Sequence, residues 1–450
     1  MNIDSINKVF FIGIGGIGMS GLANYFLQKN IRVFGYDREK SFVTKELNKL
    51  GANIIYDSNK LIISEFIGDK KDTLIVYTPA ISKSDPILEA FLKNDFKVYK
   101  RSEILERISK LGKCIAIAGT HGKTTTTAIL AHILKVADLS FCAFVGGIME
   151  NYNSNFIYNG EDYILVEADE FDRSFLRLNP NYACITSIDI DHLDIYEDYN
   201  DLNKAFSEFK NNITDEGFLI SNELVGVKSL KYGISDNSDY IVKNIKCNKN
   251  FSQFDLYINE SRIENLKINL QGVHNIMNTT AAVSIALKLG VTEKQITHAL
   301  ASFKGIERRF SYKIDKENMV LIDDYAHHPE EINQVCKTLK LIYPNDNLLV
   351  VFQPHLFSRT RDLLDEFADV LSKFDAVILL DIYPAREKPI NGVSSEILLE
   401  KIQSKHKYLS NKSELTAVIK SIAYKVNITL GAGDIGKEVE HIKNELEYAN

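Results

Sequence analysis

The stretch CIAIAGTHGKTTTT, at Cys114–Thr127, decides the fold. Its first part has the length and apolar composition of a buried strand, and the residues after Thr127 have helical spacing. A glycine-rich turn between a strand and a helix lets backbone N–H groups approach a phosphate closely. The stretch therefore predicts an α/β domain with a nucleotide-binding loop.

The chemistry of this loop lies in its lysine and threonines. Lys123 is placed to reach the β- and γ-phosphates of ATP, and the Thr124 hydroxyl is placed to bind Mg²⁺. Ile117 stands where the complete phosphate-loop motif has its first glycine, and a threonine-rich helix start can also cap itself. Self-capping gives no role to a lysine between glycine and threonine, so nucleotide binding is favoured. The predicted ATP-loop residues are Gly119, Thr120, His121, Gly122, Lys123, Thr124 and Thr125.

A second glycine loop, GIGGIG, follows the apolar run Lys8–Ile12. Between a strand and a helix, this spacing is typical of a diphosphate-binding turn. Asp37, after the next strand, is placed to accept hydrogen bonds from a ribose or a base. Alone, the loop would suggest NAD, and a turn without a ligand is the alternative. Two nucleotide-type loops in one chain favour a ligase over a dehydrogenase. The glycines concerned are Gly13, Gly15, Gly16 and Gly18.

The composition is that of an ordinary globular protein. The 450 residues are 45% hydrophobic and 25% charged, which excludes disorder, collagen and coiled coil and predicts about two to four domains.

The net charge of −7 provides no overall basic field for nucleic acid or a membrane surface. Five scattered cysteines predict no disulfide framework, so we expect a cytoplasmic protein. The uncharged stretch Val9–Leu27 contains five glycines and is interpreted as strand, loop and helix, not as a membrane span.

Strand-length apolar runs alternate with amphipathic helical stretches along most of the chain, as in parallel α/β sheets. At about Lys228–Leu270, alternation and turns predict antiparallel hairpins instead. We therefore predict an α/β protein of three domains. A Rossmann-like domain is expected at residues 1–103, a phosphate-loop ATPase-like domain with a mixed or antiparallel extension at 104–307, and a second Rossmann-like domain at 308–450.

Acidic residues follow one of the strands of the predicted ATP domain. Glu167 ends the run Tyr163–Val166, so we expect it beside the ATP loop, at the carboxyl edge of the sheet. Asp169 and Glu170 are expected in a solvated turn.

Other polar groups also occupy strand ends and helix starts. The amides of Asn275 and Asn278 can share one helix face and suit the edge of adenine, although a polar helix start is the alternative. Asp324–His328 and Gln353–His355 each follow a strand of the third domain, so both are expected at one edge of its sheet.

The chain resembles the Mur ligases over nearly its whole length. The motifs that carry this resemblance are GIGGIGMSG at Gly13–Gly21, GTHGKTT at Gly119–Thr125, EADEFDRSF at Glu167–Phe175, DHLD at Asp191–Asp194, GVHNIMN at Gly272–Asn278, RRF at Arg308–Phe310, DDYAHHP at Asp323–Pro329, QPH at Gln353–His355 and GAGD at Gly431–Asp434. The resemblance implies that the first glycine loop, with Met19, Ser20 and Asp37, binds the diphosphate of UDP-N-acetylmuramate and not NAD.

The resemblance also implies roles for residues of the ATP site. Glu167 would be a ligand shared by two Mg²⁺ ions, and His192 would bind the second ion. On the residues alone, His192 is more often a hydrogen-bonded turn histidine, because Mg²⁺ prefers oxygen ligands. The nucleotide contacts implied by the resemblance are His274, Asn275, Asn278, Asp324 and, at the γ-phosphate, Arg309.

For the incoming amino acid, the resemblance implies His327, His355 and Arg359, with Arg359 as a bidentate carboxylate clamp. Arg386 is either a further site cation or the partner of a loop-anchoring ion pair. Arg308 is interpreted as a surface cation.

The activity implied by the resemblance is ATP-dependent amide formation between L-alanine and the lactyl carboxylate of UDP-N-acetylmuramate. It would proceed through an acyl phosphate and release ADP and phosphate. One alternative is a ligase that attaches a preformed peptide to the same UDP-sugar, and another is a switch protein driven by ATP. The sequence leaves both a monomer and a homodimer open.

Overall fold

The computed structural model describes residues 5–189, 195–385 and 387–447. The chain divides into two compact units. The first comprises Met1–Ile190, Asp198–Ile241 and Asn278–Ala299, and the second comprises Asp191–Glu197, Val242–Met277 and Leu300–Asn450. Within the described ranges, no helix combines the length and the apolar character needed to cross a membrane.

The first unit begins with a parallel five-stranded sheet. Its elements are β1 (Lys8–Ile12), α1 (Ile17–Gln28), β2 (Arg32–Tyr36), α2 (Phe42–Lys49), β3 (Asn53–Ile55), a 3-10 helix (Ser58–Lys60), α3 (Ser64–Ile67), β4 (Thr73–Tyr77), α4 (Pro86–Lys93), β5 (Val98–Lys100) and α5 (Arg101–Ser109). The strand order β3-β2-β1-β4-β5 puts β1 in the centre, where all its residues are buried. The chain leaves β1 towards β2 and returns to β4 on its other side, so the glycine loop lies at the point where the strand order reverses.

The second sheet of the first unit is mixed. Its elements are β6 (Lys113–Ala118), α6 (Lys123–Val136), β7 (Phe141–Met149), β8 (Ser154–Tyr158), β9 (Tyr163–Ala168), a 3-10 helix (Phe171–Arg177), β10 (Tyr182–Ile185), α7 (Tyr199–Asn211), β11 (Phe218–Asn222), β12 (Leu230–Gly233) and the start of β13 (Tyr240–Cys247). Strands β7 and β8 pair antiparallel, whereas β6 and β9 are parallel neighbours. The loops that follow β6 and β9 therefore open at the same edge of the sheet.

The second unit contains the antiparallel hairpin of β14 (Ser252–Ile258) and β15 (Ser261–Ile268). Helix α8 (Val273–Lys288) begins in this unit and ends in the first, and α9 (Glu293–Ser302) begins in the first and ends in the second. The remaining elements are β16 (Ser311–Asp315), β17 (Val320–Asp324), α10 (Pro329–Ile342), β18 (Leu348–Phe352), α11 (Phe357–Asp362), α12 (Leu364–Leu371), β19 (Ala376–Leu379), α13 (Ser395–Lys401), β20 (His406–Leu409), α14 (Leu415–Ile422), β21 (Val426–Leu430) and α15 (Ile435–Glu447).

The third sheet has the order β16-β17-β21-β18-β19-β20, with β16 antiparallel at one edge. Helices α10, α12 and α13 contribute to the core on one face, and α14 and α15 contribute to the core on the other. Strand β21 lies between β17 and β18, in parallel with both. The segments after these strands therefore share one edge, which confirms the expectation for Asp324–His328 and Gln353–His355.

The prediction of antiparallel hairpins from Lys228 to Leu270 is wrong for its first half. Strands β11 and β12 pair in parallel, and so do β12 and the start of β13. Strands β12 and β13 share only the pairs Tyr232↔Tyr240 and Gly233↔Ile241. A short turn connects them, where a longer parallel pairing would need a full crossover connection. Glu223 holds that turn by accepting hydrogen bonds from the backbone N–H groups of Ile234 and Ser235.

Candidate active site

The loop after β6 has a backbone that requires its glycines. Gly119 and Gly122 have φ angles of +127° and +83°, in a region that residues with a Cβ rarely adopt. A Cβ on Gly119 would overlap Thr186, and one on Gly122 would overlap the amide of Asn278. The loop is therefore enclosed by the segment after β10 and by helix α8.

Some N–H groups of this loop are already bound within the protein. The N–H of Thr120 donates to the Ser187 carbonyl at 3.1 Å, and the N–H of His121 donates to the Ser187 hydroxyl at 3.0 Å. Gly122 occupies the N-cap position of α6 without a side-chain cap. The donors proposed for a phosphate are therefore those of the first turn of α6, a narrower set than the whole of Gly119–Thr125.

Lys123 lies in an ion pair that corrects a sequence prediction. Its Nζ donates to both carboxylate oxygens of Glu170, at 2.7 and 2.9 Å, and to the Gly119 carbonyl at 2.6 Å. The Glu170 side chain is 1% exposed, so it does not belong to a solvated turn. Burial raises the pKa of Glu170, and the charge and hydrogen bonds of Lys123 oppose that rise. Burial alone would lower the pKa of Lys123, but Glu170 and the neighbouring carboxylates raise it.

Glu167 lies beside the ATP loop, because β9, near whose end it lies, runs parallel to β6, which precedes the loop. It follows the apolar core of β9 and pairs with Ile117 of β6. The Thr124 hydroxyl donates to Oε1 of Glu167 at 2.6 Å, and the Gly146 N–H donates to Oε2. Burial is the main cause that raises the pKa of Glu167. Two oxygen-bearing side chains thus meet at the start of α6.

The two asparagines of α8 have different partners, and each belongs to a different compact unit. In the first unit, Oδ1 of Asn278 accepts a hydrogen bond from the Thr126 hydroxyl at 3.4 Å. In the second unit, Nδ2 of Asn275 donates to the Gln271 carbonyl at 2.8 Å. Both side chains are buried. The contact of these amides with adenine remains a prediction.

His274 precedes these asparagines and faces charged groups of the second unit. Its Nδ1 is buried and has no hydrogen-bond partner among the described residues. Burial lowers the pKa of His274 to about 4, and the charge of Arg309 acts in the same direction, against Glu331. The ring is therefore neutral at physiological pH.

Asp324 fixes the segment that carries Arg309. Its two oxygens accept the N–H groups of Ala326 and Phe310, both at 2.7 Å. Phe310 has a φ of +50°, so this turn is held in a conformation that is rare for a residue with a side chain. Burial raises the pKa of Asp324 to about 6. The guanidinium of Arg309 lies 5.2 Å from the centre of the Tyr325 ring.

Arg308 is not a surface cation, which corrects the prediction. Its Nε donates to the buried carboxylate of Asp323 at 3.1 Å, and its terminal nitrogen donates to the Gly431 carbonyl at 2.6 Å. It therefore ties the RRF segment to the ends of β17 and β21. Arg308 is thus a structural cation, whereas its neighbour Arg309 remains a candidate residue of the nucleotide site.

The adjacent histidines after β17 separate as expected for an extended chain. His328 caps α10 by accepting the N–H of Glu330 at 3.3 Å. The ring of His327 lies 6.0 Å from that of His355, and His355 stacks on Tyr383 at 5.6 Å. Arg359 follows on α11. His327 and His355 are thus brought together, whereas His328 is structural.

The first glycine loop has a tight turn that Asp37 supports. Gly13 has a φ of +84°, and the N–H of Gly15 donates to Oδ2 of Asp37 at 2.7 Å. A Cβ on Gly15 would approach this carboxylate to 2.8 Å. Asp37 therefore shapes the loop, in addition to its predicted role towards a ribose or a base.

Two residues proposed for the UDP-sugar site lie in the interior. Met19 is 2% exposed and Ser20 is fully buried. The Ser20 hydroxyl donates to the Ile17 carbonyl at 2.9 Å and accepts from Nδ2 of Asn155 at 3.1 Å. Their burial fits packing under the loop better than contact with a ligand, so we centre the proposed site on the glycines and Asp37.

Two of the predicted site residues, His192 and Arg386, lie outside the described residues, as do Asp191 and Asp194. Among the residues that are described, no group of three or more His, Cys, Asp or Glu side chains is arranged to hold a metal ion. The described residues therefore contain no site in which protein side chains alone would surround a metal ion.

Comparison with known families matches three consecutive segments. They correspond to the catalytic domain of the Mur ligase family at residues 8–113, the Mur ligase middle domain at 117–286 and the Mur ligase glutamate ligase domain at 308–435. A relative from Christiangramia forsetii, a UDP-N-acetylmuramate--L-alanine ligase, is 49% identical, with 99% of each chain covered. The chain belongs to the Mur ligase family.

Solved structures agree with this assignment of the Mur ligase fold. The UDP-N-acetylmuramate-alanine ligase of Thermotoga maritima has a TM-score of 0.82 at 27% identity and covers 98% of this chain and 100% of its own. A murein peptide ligase from Psychrobacter arcticus has a TM-score of 0.70 at 22% identity, with 98% of each chain covered, and so shows the fold alone. The predicted fold class, three α/β parts with a mixed central sheet, is confirmed.

The structure adds residues near the predicted site that the sequence analysis missed. Gly146 binds the carboxylate of Glu167, Ser187 binds the His121 N–H of the ATP loop, and Asn155 binds the Ser20 hydroxyl of α1, in each case from a segment distant in sequence. The glycine pair at Gly146 within a strand is a signal of a bulge or a close backbone approach, and could have identified the first of them. The hydrogen bonds of Ser187 and Asn155 depend on tertiary contacts that no local pattern reveals.

Proposed function

We propose that this chain joins L-alanine to the lactyl carboxylate of UDP-N-acetylmuramate, with ATP converted to ADP and phosphate. The observation that carries this proposal is the 49% identity, over almost the full length, to a ligase named for that reaction. The two glycine loops support it, because the reaction needs both a diphosphate-bearing sugar and ATP.

The three parts of the chain have distinct proposed roles. Residues 1–103 would bind the UDP-sugar, 104–307 would bind ATP, and 308–450 would contact the amino acid and the nucleotide. In the first, the N–H groups of Gly13–Gly16 already donate within the protein, so the first turn of α1 would supply the N–H donors for a diphosphate. Asp37 holds the glycine loop through Gly15.

Two oxygen-bearing side chains, Thr124 in the first turn of α6 and Glu167 near the end of β9, would serve as ligands of Mg²⁺. Thr124 Oγ1 and Glu167 Oε1 lie 2.6 Å apart, close to the separation of about 3 Å between neighbouring ligands of octahedral Mg²⁺. Mg²⁺ is commonly held by one or two carboxylates together with substrate phosphates, so these two side chains suffice on the protein side. We propose two ions, of which the second would involve Glu167 and His192.

Bound Mg²⁺ would offset phosphate charge and polarise the transferring phosphoryl group. Lys123 would bind the β- and γ-phosphates and stabilise the charge that develops during transfer. Arg309 would add positive charge at the γ-phosphate, and Asp324 would keep the Arg309 segment in place. His274, Asn275 and Asn278 remain proposed contacts of the nucleotide.

The lactyl carboxylate would attack the γ-phosphorus to give an acyl phosphate, which the amine of alanine then attacks with loss of phosphate. Arg359 would bind the alanine carboxylate through a bidentate pair. His327 and His355 would line the same place, since their rings already lie together. Arg386 is kept as a candidate cation.

The sequence analysis left two alternatives, the peptide-attaching ligase and the ATP-driven switch. The experiment that separates them is phosphate release from ATP by the full chain, with UDP-N-acetylmuramate and either L-alanine or a murein tripeptide. The proposal predicts release only with UDP-N-acetylmuramate and L-alanine together. Release with the tripeptide alone as acceptor, or with no acceptor, would refute it. The cytoplasmic location and the choice between monomer and homodimer stay predictions.

A further inference from the structure

The ammonium group of Lys123 is saturated by the protein itself. An ammonium has three N–H donors, and four oxygens lie within 3.2 Å of Nζ. Two of them belong to the Glu170 carboxylate, and the others are the carbonyls of Gly119 and Thr120. The Lys123 and Glu170 side chains are only 13% and 1% exposed, so water competes little for either charge.

The position of Glu170 is fixed by the turn that follows it. Asp172 and Arg173 have φ angles of +52° and +57°, which are unfavourable for residues with side chains and persist only where the surroundings enforce them. Arg173 pairs with Asp201 of α7, and its N–H donates to the Glu170 carbonyl at 3.0 Å. Phe175, at the end of this turn, stacks against Phe209. The carboxylate is therefore aimed at the ATP loop by packing.

We propose that Glu170 is the resting partner of Lys123, which nucleotide phosphate must displace, and that it thereby sets the affinity of the loop for nucleotide. This inference rests on the proposed ATP site and assigns Glu170 as a positioning residue that acts through Lys123.

Electrostatics gives the direction of the effect. Both carboxylate oxygens use donors of Nζ that a phosphate would need, and the Glu170 charge repels phosphate at short range. Glu167 and Asp169 add negative charge around the same ammonium. A neutral residue of the same shape at position 170 leaves Lys123 charged, still held by the loop carbonyls, and more available to an anion.

The test is calorimetric titration of ADP with MgCl₂ into the full chain and into Glu170→Gln. Removal of this charge should tighten ADP binding by about tenfold, and the KM for ATP should fall without a rise in kcat. Asp169→Asn is the matched control, because it removes the same charge one residue away. Its effect should be clearly smaller than that of Glu170→Gln.

Equal or weaker ADP binding by folded Glu170→Gln would overturn the inference while leaving the ATP site intact. Failure of the wild-type chain to bind ADP would instead overturn the proposed function and the inference with it. If Glu170→Gln does not fold, Glu170→Asp replaces it. The shorter carboxylate cannot keep both contacts with Nζ, so it should tighten ADP binding by a smaller factor, and unchanged or weaker binding would count against the inference.

Discussion

The hydroxyl of Thr124 and the carboxylate of Glu167 lie in hydrogen-bond contact, 2.6 Å apart, although 43 positions separate them in the sequence. This contact joins the first turn of α6 to the end of β9. The Gly146 N–H binds the other oxygen of Glu167, so both carboxylate oxygens are fixed. The proposed metal site therefore depends on a backbone position of β7 as well as on its ligands.

Gly146→Ala should lower the ligase activity, because its Cβ would overlap the Glu167 carboxylate. A displacement of about 1 Å at a reacting site can cost roughly 100-fold in rate, and a loss of this order is expected. Steady-state kinetics at several Mg²⁺ concentrations would measure it. Gly226→Ala is the control, since no atom lies near the added Cβ there. Normal kinetics for Gly146→Ala would show that the position of Glu167 does not limit the reaction.

Lys123→Ala should abolish turnover while it leaves UDP-N-acetylmuramate binding nearly unchanged. Loss of one preorganised charge donor typically costs about 10²- to 10³-fold in rate. The first glycine loop follows a strand of a separate sheet, and the side-chain hydrogen bonds of Lys123 go to Gly119, Thr120 and Glu170. Rate measurements and calorimetry with the UDP-sugar would check both parts. A variant with near-normal turnover would mean that the loop at Gly119–Thr125 is not the ATP site.

The sequence predicted the strand, loop and helix order around both glycine loops, because apolar periodicity and glycine spacing are local signals. It also placed Glu167 correctly, since parallel strands end at one edge. It failed at Glu170, where two non-glycine residues with positive φ redirect the next turn. It failed at Arg308 as well, because the burial of this arginine depends on its ion pair with Asp323, which is distant in sequence. Such pairings arise from tertiary structure and leave no spacing pattern in the chain.

His274 and Asp324 should give opposite dependences of stability on pH. The pKa of His274 falls from 6.5 to about 4 in the folded chain, so its stabilising contribution is present above pH 6.5 and is lost as the pH falls towards 4. The pKa of Asp324 rises from 3.8 to about 6, so its contribution is present below pH 3.8 and is lost as the pH rises through 6.

His274→Gln isolates the first of these effects. Its urea midpoint relative to wild type should rise as the pH falls from 6.5 to 4, because the wild-type ring binds a proton in the unfolded chain but not in the folded one, and the variant has no such ring. The corresponding change in the free energy of unfolding relative to wild type should be on the order of 1–3 kcal/mol, because His274 is only partly buried as a residue. Asp324→Asn should show the opposite slope between pH 4 and 6. A difference from wild type that does not vary with pH would refute the burial argument for that residue.

Arg359→Ala should mainly raise the KM for alanine, because a clamp on the carboxylate contributes largely uniform binding. A rise of about 10- to 100-fold is expected for the loss of one charge-assisted pair. Arg361→Ala, on the same helix, is a suitable control because Arg361 already pairs with Asp362 at 2.7 Å. Equal effects of the two variants on the alanine dependence would place the clamp elsewhere, with His327, His355 and Arg386 as the next candidates.

The acyl phosphate is tested most directly by oxygen label transfer. UDP-N-acetylmuramate with heavy oxygen in its lactyl carboxylate is incubated with ATP, L-alanine and the enzyme, and the products are analysed by mass spectrometry. Attack of the carboxylate on the γ-phosphorus followed by amide formation predicts ADP and one labelled oxygen in each inorganic phosphate released. Label in AMP would indicate an adenylate, and unlabelled phosphate from productive turnover would mean that the carboxylate was never phosphorylated.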